Sequence, residues 1–80
     1  MGFIWDNINI AHTARHGITP ELAERIVQEG MSSIKRSLVE RRYAVEATIG
    51  DKHYRLIFEV LEDNISIYPV TAYPIRKRKF

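Results

Sequence analysis

Cysteine is absent from the 80 residues, so neither a disulfide nor a thiolate metal site can reinforce the fold. No apolar run approaches the ~20 residues that span a bilayer. The first residues also lack the basic stretch and apolar core of a signal peptide. A soluble, cytoplasmic protein is therefore expected, with no membrane partner. Glycine and proline are scarce, at four and three, so each reads as punctuation. There is no phosphate-binding glycine loop, no dinucleotide fingerprint, no HExxH and no nucleophile elbow. No cofactor is expected. A chain this short buries only roughly 60% of its unfolded surface. It reads as one domain, residues 1–80, whose core must come from the 45% of residues that are hydrophobic.

Charge of one sign is also lacking outside the last residues. The net charge of +2 rests on Arg76, Lys77, Arg78 and Lys79. The rest of the chain carries eight basic and ten acidic side chains. Bulk charge does not mark it as a nucleic-acid binder, so any anion affinity must come from local clusters or from the basic tail, residues 74–80.

The most informative stretch is Glu40 to Leu61, which reads as an antiparallel hairpin turning at Gly50-Asp51. Glycine at the first central place suits a two-residue type II′ loop, where φ must be positive. That turn sets Ile49 against Lys52. One face then pairs Tyr43 with Phe58, Val45 with Leu56 and Ala47 with Tyr54. The other pairs Glu46 with Arg55 and Arg42 with Glu59. A one-residue slip would scramble this sorting.

Ahead of the hairpin, Gly2 to Trp5 reads as a short edge strand. Asp6 can cap a helix running to about His16, with Gly17 as its stop. Ile8, Ala11, His12 and Arg15 form one stripe of that helix; Ile10, Ala14 and Gly17 lie to another side. Thr19 caps a second helix with Pro20 in its first turn. Leu22, Ala23, Ile26 and Val27 form its apolar stripe, and Gly30 ends it. Met31 to Val39 reads as a connection. Past Leu61, a three-residue Glu62-Asp63-Asn64 loop with Asn64 left-handed puts Tyr68 opposite Phe58, Val70 opposite Leu56 and Ala72 opposite Tyr54. Thr71, across from Arg55, and Tyr73 then join the charged face. A two-residue Asp63-Asn64 turn would instead bury Ile65 and Ile67. Pro69 lacks a donor, which points to an edge strand or a bulge. The expected fold is α+β: two N-terminal helices on one face of a small antiparallel sheet, in the order β-α-α-β-β-β.

Chemistry has one natural place, the charged face, where Arg42, Glu46, Arg55, Thr71 and Tyr73 are expected to gather. Such pairs also occur as plain cross-strand ion pairing, worth ~0.2–1 kcal/mol each. As a site, the set fits a phosphate. Guanidinium forks bind phosphate oxygens two at a time, a carboxylate can take a proton, and a phenol can position or donate one. RNA could be cut this way through its own 2′-hydroxyl, without metal. The three histidines, His12, His16 and His53, are scattered. His12 and His16 stand four apart on a helix, but no third metal ligand is evident.

The order of four segments adds a resemblance. Phe3-Ile-Trp-Asp6, Ala14-Arg-His-Gly-Ile-Thr19, Glu40-Arg-Arg-Tyr43 and Val70-Thr-Ala-Tyr-Pro-Ile-Arg-Lys-Arg78 span nearly the whole chain. Together they resemble the BrnT-type toxins of bacterial type II toxin–antitoxin pairs, within the RelE-like ribonuclease superfamily. The resemblance implies helices against an antiparallel sheet, RNA cleavage that blocks translation, and a cognate DNA-binding antitoxin. Its substrate would be mRNA, single-stranded or ribosome-presented. Carried over by position, it gives Arg41, Arg42 and Arg55, with His16-Gly17 as a structural junction. Where the family has arginine in the last strand, this chain has Tyr73. That arginine would clamp the transition-state phosphate. Arg76 is one substitute; another role for Tyr73 is the alternative. The ribonuclease reading assigns Arg42 and Arg55 to the phosphate and Glu46 to the base. Tyr73 then stacks on a nucleobase or orients the 2′-hydroxyl, while Arg41, Arg76, Lys77 and Arg78 hold the backbone. Two other readings stand beside it: a catalytically lapsed RNA- or protein-binding module, and a subunit joined through its edge strand to a partner or to its own copy.

Overall fold

A computed structural model describes residues 2–76. The elements run β1 (Gly2–Phe3), α1 (Asn7–Ala14), α2 (Pro20–Glu29), a 3-10 turn (Met31–Ser33), β2 (Lys35–Arg36), β3 (Arg42–Ile49), β4 (Lys52–Val60) and β5 (Ser66–Ile75). The sheet order is β1-β5-β4-β3-β2. β1 runs parallel to β5 and every other pairing is antiparallel, so the sheet is mixed rather than purely antiparallel. Both helices pack on it, α1 against β5 and α2 across β3 and β4. Among the described residues, no helix is long and apolar enough to cross a membrane.

The central hairpin pairs as its sequence dictates, from Ile49 with Lys52 down to Arg42 with Glu59. Gly50 has φ +63°, while Asp51 has no positive φ, as a type II′ turn requires. Val45, Ala47, Tyr54, Leu56 and Phe58 are buried against Ala23, Ile26 and Val27 of α2. Thr19 caps α2 by accepting the Leu22 N–H at 3.2 Å. Gly30 is required by space: a Cβ there would collide with the Glu46 carbonyl and the Val45 side chain. The end of α2 therefore lies directly on β3.

α1 departs from its expected stripe. Its buried residues are Asn9 and Thr13, while Ile8 and Ile10 are exposed. The polar pair is buried because every bond it needs is local. Asp6 accepts the Ile8 and Asn9 N–H groups at 2.9 and 3.0 Å, and the Asn9 Oδ1 accepts the Asp6 N–H at 2.8 Å. Asn9 Nδ2 donates to the Ile4 carbonyl at 3.0 Å, and the Thr13 hydroxyl reaches the Asn9 and Ile10 carbonyls at 3.2 Å. The helix ends in a Schellman arrangement: Ile18 N–H to Thr13 O at 3.1 Å, Gly17 N–H to Ala14 O at 2.9 Å, with Gly17 at φ +72°.

The connection from Met31 to Val39 is more structured than expected. Lys35 and Arg36 pair with Ala44 and Tyr43, making β2 the sheet's second edge. The Ser33 hydroxyl plugs the edge of β3, donating to the Glu46 carbonyl at 2.8 Å and accepting its N–H at 3.1 Å.

β5 carries the main correction. Asn64 is left-handed, with φ +60°, and its N–H closes a turn onto the Leu61 carbonyl at 2.9 Å. The loop nevertheless runs one residue longer, because Asp63 also accepts the Ile65 and Ser66 N–H groups at 2.9 and 2.8 Å. Val60 thus faces Ile67, and Tyr68 faces Glu59 rather than Phe58. Ile67 is buried, while Ile65 stays 67% exposed. A bulge at Val70 then shifts the register again, so Ala72 meets Leu56 and Tyr73 meets Arg55. Val70 therefore does not oppose Leu56, and Thr71 faces Ile57 rather than Arg55. Without the bulge, one half of β5 would turn its apolar residues to solvent, since Ile67 and Ala72 differ in parity. Pro69 is buried beside the bulge, beyond the reach of β1, which pairs only with Ser66 and Ile67.

Candidate functional site

The helix-free face of the sheet holds Arg42, Glu46, Arg55, Thr71 and Tyr73. Its charged side chains keep contact with water: Arg42 is 38% exposed, Glu46 35% and Arg55 40%. Strand alternation puts them there, because their neighbours Val45, Ala47, Leu56 and Phe58 are fixed into the core.

Within that face the residues divide into two groups. Arg55 donates twice to Glu46 Oε2, from Nε at 3.0 Å and from Nη2 at 2.8 Å. The other oxygen, Oε1, lies 3.3 Å from His53 Nε2, and His53 Nδ1 lies 2.6 Å from the Thr48 hydroxyl. Tyr73 sits directly across from Arg55 on β5. The Arg55 contact, then that of His53, holds the Glu46 carboxyl below its ordinary pKa. In return Glu46, and after it the Tyr73 phenol, raise the pKa of Arg55. Arg42 belongs to the second group. Among the described residues its side chain makes one hydrogen bond, Nε to Glu59 Oε1 at 3.3 Å. It stands four residues along the sheet from the Glu46–Arg55 pair, about 13 Å at the usual strand rise. The two arginines therefore do not close on one phosphate in this arrangement.

Arg41 has other work. It is left-handed at φ +65°, and its guanidinium is spent on the turn that follows β4. Nε donates to the Val60 carbonyl at 2.8 Å, and Nη2 reaches the Leu61 carbonyl and, at 2.8 Å, the Asn64 side chain. Arg76 is exposed just past β5, while Lys77 and Arg78 lie outside the described residues. Among the described residues, no cluster of histidine, aspartate and glutamate has the geometry to hold a metal ion.

Two participants escaped the sequence reading. His53 follows from the Gly50 turn, because pairing Ile49 with Lys52 sets Thr48 against His53 on the charged face. His16, after α1, lies with its ring centroid 6.0 Å from that of Tyr73, the planes tilted by 59°. No sequence signal announced that contact, which depends on the bulge at Val70.

Chemically, the Arg55 group offers a cation, a carboxylate, an imidazole that can take or give a proton, and a phenol, gathered from three neighbouring strands, β3, β4 and β5. No family model matches the chain, and neither the curated proteins nor the solved structures provide a match.

Proposed function

We propose that the helix-free face binds single-stranded RNA and cleaves it without metal, as the toxin of a type II toxin–antitoxin pair acting on mRNA in the cytoplasm. The observation that carries this reading is the grouping of Glu46, His53, Arg55 and Tyr73 on an uncovered sheet face. The order of the four sequence segments supports the RelE-like assignment, and with it the block to translation and the antitoxin partner.

In this reading a phosphate takes the Arg55 fork, displacing Glu46 Oε2. Losing that contact removes the largest influence holding the carboxyl low, so Glu46 becomes more basic as substrate arrives. Glu46 or its neighbour His53 then takes the proton of the 2′-hydroxyl. The 2′-oxygen attacks the adjacent phosphorus, the bond to the 5′-oxygen breaks, and that oxygen takes the proton that the base had removed from the 2′-hydroxyl. The ends left are a 2′,3′-cyclic phosphate and a 5′-hydroxyl. Arg55 supplies the charge that meets the developing oxyanion. Incubation of the purified chain with single-stranded RNA in EDTA tests this. Those two end groups are expected; intact RNA, or cleavage only with added metal, overturns it.

A second reading is favoured by one observation: both arginines already hold carboxylate partners, and they stand far apart. On that reading the face binds RNA or a protein without cutting. Tight RNA binding with no cleavage products would establish it over the first.

A further inference from the structure

We infer that the outer face of α1 is a self-association surface, on which a second copy of this chain packs its own α1 antiparallel about a two-fold axis. The inference is independent of what the helix-free face binds. α1 is turned inside out relative to an ordinary surface helix. Its polar residues Asn9 and Thr13 are buried, while Ile8, at 64%, and Ile10 are exposed. Ile4, whose carbonyl is held by Asn9, is exposed as well. A surface helix normally gives its apolar stripe to a core. Here the bonds that close on Asn9 and Thr13 let the apolar side turn to the surface. None of the eight residues is Asp, Glu, Lys or Arg, so two copies of this face meet without fixed like charges along the helix.

Charge at the helix ends selects a second copy as the occupant. Asp6 caps the start of α1 and Arg15 closes its end. With Asn9 and Thr13 inward, about 3.6 residues per turn place Ala11 in the middle of the outer side. Antiparallel pairing with the two-fold axis between Ile10 and Ala11 sets Ile10 against Ala11, Asn7 against Ala14 and Asp6 against Arg15. A carboxylate–guanidinium link then closes each end, and the opposed helix dipoles act in the same direction. Both residues are free for this. Asp6 and Arg15 are exposed, and no ion pair among the described residues engages Arg15. Among the described residues Asp6 Oδ2 accepts only the Tyr68 hydroxyl, at 2.9 Å, and has room for a second donor. The β2 edge behaves in the opposite way: antiparallel self-pairing there would set Lys35 against Arg36. α1 is about 12 Å long at the usual rise. The pair therefore buries less than the ~800 Å² per partner of a standard interface, and a weak, concentration-dependent dimer is expected. α1 lies on the other side of the sheet from Glu46 and Arg55, so both charged faces stay open in it.

The test is sedimentation equilibrium of the full chain from micromolar to millimolar concentration. The mass should rise from 9.3 kDa toward twice that value. Ile10→Lys should hold the chain at the monomer mass. Arg15→Glu should weaken association about tenfold, because two links per dimer become like-charge contacts, and Arg15→Lys should keep it. Asp6→Asn, which still caps the helix, should weaken it several-fold. The chain has no cysteine, so a single introduced one reports position. Ala11→Cys, next to the two-fold axis, should oxidise to a covalent dimer faster than Lys35→Cys. Urea unfolding midpoints near that of the native chain show that the variants fold. A monomer mass at every concentration overturns the inference and leaves the face to a different partner. A dimer that Ile10→Lys and Arg15→Glu both leave intact, or equal cross-linking of the two cysteine variants, overturns it too and assigns the contact to another surface.

Discussion

Two ion pairs on one sheet face share their chemistry, their strands and their register, yet they differ in what surrounds them. Arg42 and Glu59 touch through one bond of 3.3 Å, and no histidine among the described residues bonds to either side chain. Arg55 and Glu46 touch through two, at 3.0 and 2.8 Å, with His53 on the second carboxylate oxygen and Tyr73 across the strand. The backbone beneath differs as well. Gly30 and Ser33 lock the chain at Glu46, by close approach and by a hydroxyl plugged into the strand edge. Pairing of charges across strands is cheap and common. What distinguishes one end of this face is an imidazole, a phenol ring and a fixed backbone around the pair.

The sharpest way to break the comparison is to remove each arginine in turn. Arg55→Ala should lower RNA cleavage by roughly 10²–10³-fold, the scale for losing an oxyanion-stabilising donor, and Arg42→Ala by only a few-fold. Equal losses in a timed cleavage assay would erase the distinction between the two ends. Gly30→Ala comes next. Added volume at the α2–β3 contact should cost ~1–3 kcal/mol in urea unfolding, because the atoms in the way are backbone and a buried valine. Ser33→Ala should cost about 1 kcal/mol, since the Glu46 N–H loses its partner. An unchanged unfolding midpoint in either variant would show that the Glu46 end is not specially anchored.

The smallest effect is in acid. The Glu46 carboxyl is held below its ordinary value of 4.5, chiefly by Arg55. A depressed carboxyl adds stability that is present above pH 4.5 and is lost as pH falls through its lower folded value. Glu46→Gln should therefore flatten part of the stability loss below about pH 4.5, with little change at pH 7 beyond the small worth of an exposed pair. Asp6, held low first by the Asn9 N–H, and Asp63, held low first by Ser66, act in the same direction. A flattened, not an abolished, acid limb is the expected outcome in Glu46→Gln.

How much of this was legible depended on which force decided each element. The hairpin was fully readable, because one glycine turn and strict alternation leave a single register that buries Val45 and Leu56 together. α2 was readable for the same kind of reason, a cap, a proline and a clean stripe. α1 was not, since its inward face is Asn9 and Thr13, whose burial is possible only because their hydrogen bonds close locally. Periodicity of apolar residues cannot see that. In β5 the alternation itself was misleading: an extra loop residue and the bulge at Val70 shift the register twice. Ala72, Thr71 and Tyr73 still emerged on their expected faces, and Tyr68 did not. Its hydroxyl instead reaches the Asp6 carboxylate at 2.9 Å. Of the site, Glu46 and Arg55 were visible as a cross-strand pair. His53 was readable from the same turn yet overlooked, and the approach of His16 to Tyr73 needed the folded chain.

The most direct measurement is an NMR titration of the full chain with uncleavable 2′-O-methyl RNA, following arginine Nε–H signals and the Glu46 carboxyl. The Arg55 signal should move and the Glu46 pKa should rise as phosphate takes its place, while Arg42 stays still. Equal movement of both arginines, or a Glu46 carboxyl unchanged at saturating RNA, would contradict it.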